Sequence, residues 1–240
     1  MKAVTGVFRL RSDAERAMSQ MGALGISENK LAVLTPDASP GATASKKPND
    51  HSVVTAKIPG VGYVSAVGIL GKAVLEAAGA RLESVADRKL ELSSSDGWPE
   101  GELFVYEEVL RKGGTVLIAL SDDEAQFSQL RGLLNDKGAE ATDATREQWW
   151  TDLRGAEREH YSAPDRNFEQ DEKFYRLGFE AALHARMRCK EYDQVLSEMA
   201  VQIEEVEKQY PGAKVEEPFT KGYERGRDHY ERLCSEDRVA

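Results

Sequence analysis

The feature that most narrows the fold is a pattern written twice. Ala3–Leu10 is a short, β-rich apolar run. Ser12-Asp13-Ala14-Glu15 follows with the S-x-x-E spacing of a capping box, in which the serine oxygen accepts from the amide three residues on and the glutamate reaches back. Ala14, Ala17, Met18, Met21 and Leu24 then recur at helical spacing, and Gly25 supplies a C-terminal stop. Leu31–Leu34 reads as the next strand, closed by Pro36. Far downstream the same order returns. Thr115–Leu120 (TVLIAL) is a strand, Ser121-Asp122-Asp123-Glu124 a second box, and Phe127, Leu130 and Leu134 a second stripe. Gly138 ends that helix, and Ala139–Ala144 reads as the last strand. Without gaps, Ser12, Asp13, Glu15, Ser19 and Gln20 superpose on Ser121, Asp122, Glu124, Ser128 and Gln129. Convergent capping explains the first three identities; the Ser-Gln pair in the same register points to duplication.

Two βαβ halves in one sheet predict an α+β fold, a ferredoxin-like βαβ-insertion-βαβ sandwich with both helices on one face. This domain is expected over residues 1–145, with its insertion at about 36–113, and an all-α domain over 146–240. Such a frame hosts many functions and supplies none by itself.

Charge removes several classes of function. The net charge of -10 argues against sequence-independent nucleic-acid binding, because neutralising phosphate needs a basic footprint. It equally disfavours anionic lipid. Two cysteines are too few for a disulfide framework. The N-terminal apolar run is broken by Arg9 and Arg11, so no secretory h-region is read there, and a cytoplasmic location is expected.

Residues 36–56 are rich in Pro, Ser and Ala and read as a linker. KIPGVGYVSAVGILGKAVLEAAGA (57–80) follows, glycine-dense and apolar in a chain of mean hydropathy -0.53. A membrane span needs about 20 apolar residues, and Pro59, Lys72 and Glu76 interrupt this one. A phosphate-binding P-loop needs G-x-x-x-x-G-K-[ST], but Ala66 and Ala73 stand at its first glycine and its hydroxyl position. The dinucleotide fingerprint fails too, with Ser65 in place of the third glycine after Gly60 and Gly62. What remains is a helix starting near Gly62, whose small residues (Ser65, Ala66, Gly68, Ala73, Ala77, Ala80) let its own sheet or a second copy approach closely. Beyond it, Arg81–Leu92 reads as a charged helix, Ser93–Gly97 as a break, and Pro99 as a helix start. Leu103, Tyr106, Val109 and Leu110 then form an apolar face ended by Gly113-Gly114.

Together, Val4–Leu10, Asp13–Ala17, Leu31–Leu34, Ile58-Pro59-Gly60-Val61-Gly62 and Tyr106–Ala119 (YEEVLRKGGTVLIA) resemble the bacterial heat-induced stress protein domain, or general stress protein family. The resemblance covers about residues 3–144. It implies a stress association, no established catalysis and no catalytic residues to carry over. The insertion departs from the family pattern: it is shorter and is broken by Lys72, Glu76 and Arg81.

From Arg146 the composition changes. Trp149 and Trp150, in REQWWTDLRGAE, mark an amphipathic helix packing on the first domain, and Ser162–Asp165 a break. Tyr175-x-x-Gly178-Phe179-Glu180 is echoed by Phe219-x-x-Gly222-Tyr223-Glu224, each in a helix whose glycine permits close aromatic packing. Between them Tyr192, Val195, Met199, Ile203 and Val206 form one stripe, ended near Pro211-Gly212. His184 with Cys189 and His229 with Cys234 pose a His₂Cys₂ metal site as the alternative reading, although i,i+5 separates each pair by about 140° on a helix. Glu157-x-x-His160 falls short of the paired motifs of di-iron bundles.

The sequence thus points to a non-enzymatic protein without a cofactor, acting through a protein partner or self-association. Gly60, Gly62, Gly68, Trp149, Trp150, Tyr175, Gly178, Phe219 and Gly222 are its packing or interaction residues. Peripheral membrane association through residues 58–71 is the second alternative.

Overall fold

The computed structural model describes residues 2–37, 53–80, 100–161, 167–188, 190 and 192–236. The expected breaks and helix at Arg81–Leu92, Ser93–Gly97, Pro99 and Ser162–Asp165, and most of the linker, lie outside the described residues. The chain divides into two compact units, Met1–Trp149 and Trp150–Ala240. The division falls inside a helix, between the paired tryptophans, and not at the change of composition at Arg146.

The first unit is a six-stranded antiparallel sheet with helices on both faces. Its elements are β1 (Lys2–Phe8), α1 (Arg11–Ala23), β2 (Leu31–Pro36), β3 (Val53–Ile58), β4 (Gly62–Val67), α2 (Gly68–Ala77), α3 (Leu103–Arg111), β5 (Thr115–Ser121), α4 (Glu124–Asp136) and β6 (Glu140–Ala141), followed by the start of α5 (Thr142–His160). The strand order is β3-β4-β2-β5-β1-β6. Directly opposed residues of an antiparallel ladder point to the same face, so the register sorts the core. Val4, Phe8, Leu31, Val33, Leu117 and Ala119 pack with Ala14, Ala17 and Met21 of α1 and with Leu130 and Leu134 of α4. Thr5, one residue beyond Val4, turns to the other face and meets the Tyr106 hydroxyl of α3 at 2.9 Å. On that face too, a Cβ on Gly71 of α2 would stand 3.0 Å from the Ala66 methyl, and Ala66 lies opposite Leu34.

Several expectations need correction. The insertion is not helical from Gly62. Ile58-Pro59-Gly60-Val61 is a type II turn, closed by the Val61 amide on the Ile58 carbonyl at 3.1 Å with Gly60 at φ 76°. It joins β3 to β4, and the helix α2 begins only at Gly68. The hairpin extends the sheet past β2, and the linker reading 36–56 overlaps both β2 and β3. Ser12 is not a cap. α1 starts at Arg11 after Leu10, which makes no side-chain cap. In the second copy the cap is Asp123, whose Oδ1 accepts from the amides of Ala125 (2.7 Å) and Gln126 (3.4 Å). Ser121 is still in β5, where its Oγ accepts from the Asp123 amide. The last strand is two residues long, because Thr142 already opens α5.

The register of the repeat also shifts. β1 and β5 each have 7 residues, and α1 and α4 each have 13. Their bounds coincide when Lys2 is laid on Thr115 and Arg11 on Glu124, which also lays Gly25 (φ 83°) on Gly138 (φ 75°). That register is one helical turn beyond the one that matches Ser12 to Ser121.

The second unit contains the rest of α5 with α6 (Phe168–Leu183), α7 (Tyr192–Gln209) and α8 (Glu216–Glu236). One core cluster gathers Phe174, Ala182, Met187, Val195, Met199, Phe219 and Tyr223, with Ile203 and Val206 of the expected stripe packed against it.

Candidate functional site

The sheet ends very differently on its two sides. At one end β6 covers only Gly6 and Val7 of β1, and the flank is charged, with the Lys2 ammonium 2.5 Å from Glu124. At the other end β3 runs six residues in unbroken register with β4, and no strand pairs with its outer side among the described residues. Two side-chain rows cross the sheet to this edge. One passes Val7, Val116, Leu34, Ala66 and Val54; the other passes Leu117, Val33, Val67 and Val53. The inner members Val116, Leu34, Ala66, Leu117 and Val33 are buried, whereas Val53 and Val54 at the edge are half-buried.

The hairpin that presents this edge is held from below. Arg111 Nε, at the end of α3, donates to the Gly60 carbonyl at 2.8 Å, and its guanidinium also pairs with Glu108. On the α1 side, Thr55 and Ser65 hydroxyls lie 2.7 Å apart, and Ser65 Oγ donates to Asp37 Oδ2 at 2.8 Å. These bonds tie β3, β4 and the end of β2 together. Gly60 and Gly62 (φ 101°) therefore serve the turn. Gly68 (φ 87°) serves a close approach, since a Cβ there would stand 2.7 Å from the Leu31 carbonyl oxygen. Within 58–71, Ile58, Val64, Ala66 and Leu70 are buried inside the unit, Val61, Val67 and Ile69 are half-buried, and Tyr63 is exposed. No helix among the described residues is long and apolar enough to cross a membrane.

Two concave places accompany the sheet. One, of about 400 Å³, lies between α1 and the start of α2, against Met18, Gly22, Leu31 and Val67. The other, of about 230 Å³, lies by β6 and includes Thr5, Glu102, Arg131 and Asp143. Beside it the Tyr106 hydroxyl donates to Glu102 Oε2 at 2.7 Å and takes the Thr5 hydroxyl as its donor. Burial, then the Glu102 charge, holds the Tyr106 phenol well above its ordinary pKa, so it stays protonated and is no base. A hydroxyl nucleophile needs an adjacent base that is itself oriented. Of the four histidines, His51 lies outside the described residues, and His160, His184 and His229 belong to the second unit.

The second unit is built on a glycine-seated crossing of α6 and α8. A Cβ on Gly178 would stand 1.9 Å from the Phe219 carbonyl oxygen, and one on Gly222 would stand 1.9 Å from that of Tyr175. The sequence echo is thus a reciprocal contact, each glycine resting on the aromatic residue that opens the other motif. Gly226 continues the seam, 2.5 Å by the same measure from the Phe179 carbonyl oxygen. Trp149 packs at a tilt on Phe104 within the first unit, with 5.0 Å between ring centroids. Trp150 belongs to the second, edge-on to Phe179 at 5.9 Å, its indole N–H donating to Glu172 at 2.8 Å. Both tryptophans are buried and serve packing.

Sequence reading missed the charged centre of this unit. Glu157 of α5 is only 1% exposed. Its Oε2 accepts from the Tyr175 hydroxyl at 2.8 Å and from Arg225 Nε at 2.9 Å, and its Oε1 from Arg225 Nη2 at 3.1 Å. Burial, then the bond to Glu157, raises the Tyr175 pKa far above its ordinary value. Nearby, Arg154 grips Glu172 through two 2.7 Å bonds and holds its carboxyl below the usual range. These carboxylates are fully engaged by protein donors, which makes them structural.

Three members of the His₂Cys₂ set lie among the described residues. His184 sits just past the end of α6, where its Nδ1 accepts from the Arg186 amide at 3.3 Å. His229 is buried on α8 against the Phe179 ring, with Arg232 Nη2 3.2 Å from its Nδ1. Cys234 is half-buried on α8, and Cys189 lies outside the described residues. Among the described residues no three His, Cys, Asp or Glu side chains are gathered to hold a metal ion. A scan against protein-family models, a search of curated proteins and a search of solved structures each return no match to this chain.

Proposed function

We propose that this chain is a non-enzymatic association protein whose working surface is the open edge of its sheet. The observation that carries the reading is β3: six residues in regular register, half-buried valines at the ends of two apolar rows, and no strand on its outer side among the described residues. An unpaired strand of this kind is a template for another strand. Antiparallel β2-β5-β1-β6 is the order of a ferredoxin-like frame, and it supports that assignment, with the β3-β4 hairpin, α2 and α3 as its insertion. The motif resemblance over about 3–144 supports a bacterial, cytoplasmic, stress-associated setting; it rests on those motifs alone.

The test is the native mass of the full chain at micromolar concentration, joined to affinity capture with the chain as bait. Self-association, or a stoichiometric protein partner, is expected. A strict monomer that captures nothing overturns the reading.

A further inference from the structure

We propose that the occupant of this edge is a second copy of the same strand, so that β3 of one chain pairs antiparallel with β3 of another about a two-fold axis through Thr55. The proposal rests on the association reading above and names its partner.

Three observations lead there. The first is asymmetry of protection. Sheet edges are normally blunted by shortness, charge, proline or bulges. The β6 side has such devices in a two-residue strand and the Lys2–Glu124 pair. β3 has no proline within Val53–Ile58, no interruption of its register and one charge, Lys57, near its end. The second is the state of the rows. Burial is complete through Val116, Leu34 and Ala66 and lapses at Val54. A strand added at the edge completes it.

The third is self-complementarity. A two-fold axis normal to a sheet requires some residue to face its own copy. With Thr55 at the axis, Val54 faces Ala56 of the other copy and Val53 faces Lys57. Threonine pairs well with threonine across strands. The two Lys57 ammonium groups fall at opposite ends of the new ladder, each with its aliphatic stem along a valine. Thr55 and Lys57 are exposed. The product is one continuous twelve-stranded sheet.

The axis predicts a charge-swap result. Thr55→Arg and Thr55→Glu each place like charges directly opposite, and each is expected to weaken self-association by about tenfold or more. An equimolar mixture of the two variants is expected to recover it. Lys57→Glu, which faces valine, is expected to leave the mass near that of the wild type. Sedimentation equilibrium reads all four samples, with circular dichroism confirming that each variant is folded. In a Cys189→Ser, Cys234→Ser background, Thr55→Cys is expected to form a disulfide-linked dimer under mild oxidation. Self-association that ignores Thr55→Arg, or a mixture that fails to recover, overturns the pairing and leaves association itself standing. A wild-type monomer that captures a protein partner overturns only the self-pairing. A monomer that captures nothing overturns both.

Discussion

Gly178 and Gly222 each lie under the backbone of the other's helix, so that a methyl group on either would stand 1.9 Å from a carbonyl oxygen. Backbone cannot swing aside as a side chain can. Gly178→Ala or Gly222→Ala must therefore push α6 and α8 apart along the whole seam, and a cost above about 3 kcal/mol is expected. Urea unfolding of the second unit, followed by tryptophan fluorescence, reads it. Gly132→Ala and Gly155→Ala are the controls, helical glycines with no neighbour within 4 Å. Each should stabilise its helix by about 0.5–1 kcal/mol.

The Glu157–Arg225 pair predicts a second pattern. Removing Arg225 strands Glu157, whose side chain is 1% exposed where that of Arg225 is 18%. Arg225→Ala is expected to cost about 3–5 kcal/mol. The double change Glu157→Met, Arg225→Met should cost less than the single one, because no charge is left unpaired. Chemical denaturation of the three proteins checks the order.

Tyr175 gives the unit an alkaline limit. An unfolded tyrosine ionises near pH 10 or so, at about its ordinary value, while the folded phenol keeps its proton well above that. Above this pH the folded state binds more protons than the unfolded one. Stability is therefore fully present below it and falls as pH rises past it. Tyr175→Phe should flatten that fall while lowering stability at neutral pH, since Glu157 loses a donor. Thermal melts between pH 8 and pH 11 or so, spanning the tyrosine range, show whether it does.

The two copies of the strand-helix pattern should respond differently to cap removal. Asp123→Ala is expected to cost about 0.5–2 kcal/mol, while Ser12→Ala, inside the first turn of α1, should cost almost nothing. Equal losses would mean that Ser12 caps after all.

What could be read in advance followed from local chemistry. The apolar runs LAVL and TVLIAL are central strands because both their faces are covered, and Gly25, Gly113 and Gly138 end helices at positive φ. The S-x-x-E match misled because the motif fits a serine inside a helix as readily as one before it, and Leu10 gives no cap signal of its own. The stretch from Gly62 was misread because small residues suit a close-packed strand as well as a close-packed helix. There Pro59-Gly60 and the alternation of Tyr63, Val64, Ser65 and Ala66 were the better guide. Glu157 and Arg225 lie 68 residues apart, and no local pattern joins them. The Tyr-x-x-Gly echo was visible, but its reciprocity needs the crossing itself.

The place of β1 in the sheet sets when it can pair. Its only full-length neighbour is β5, where Lys2 lies opposite Ser121 and Phe8 opposite Thr115. Because β1 is made before β5, it must wait for nearly all of the first unit before this pairing can form. Until then β2 also lacks a neighbour on that side, and only the β3-β4 hairpin can close locally. Such long-range pairing is slow and leaves strands exposed while it waits. A nascent chain stopped short of Thr115 lacks β5, the strand that joins β1 to β2, so assembly of this sheet is set by a strand that emerges late.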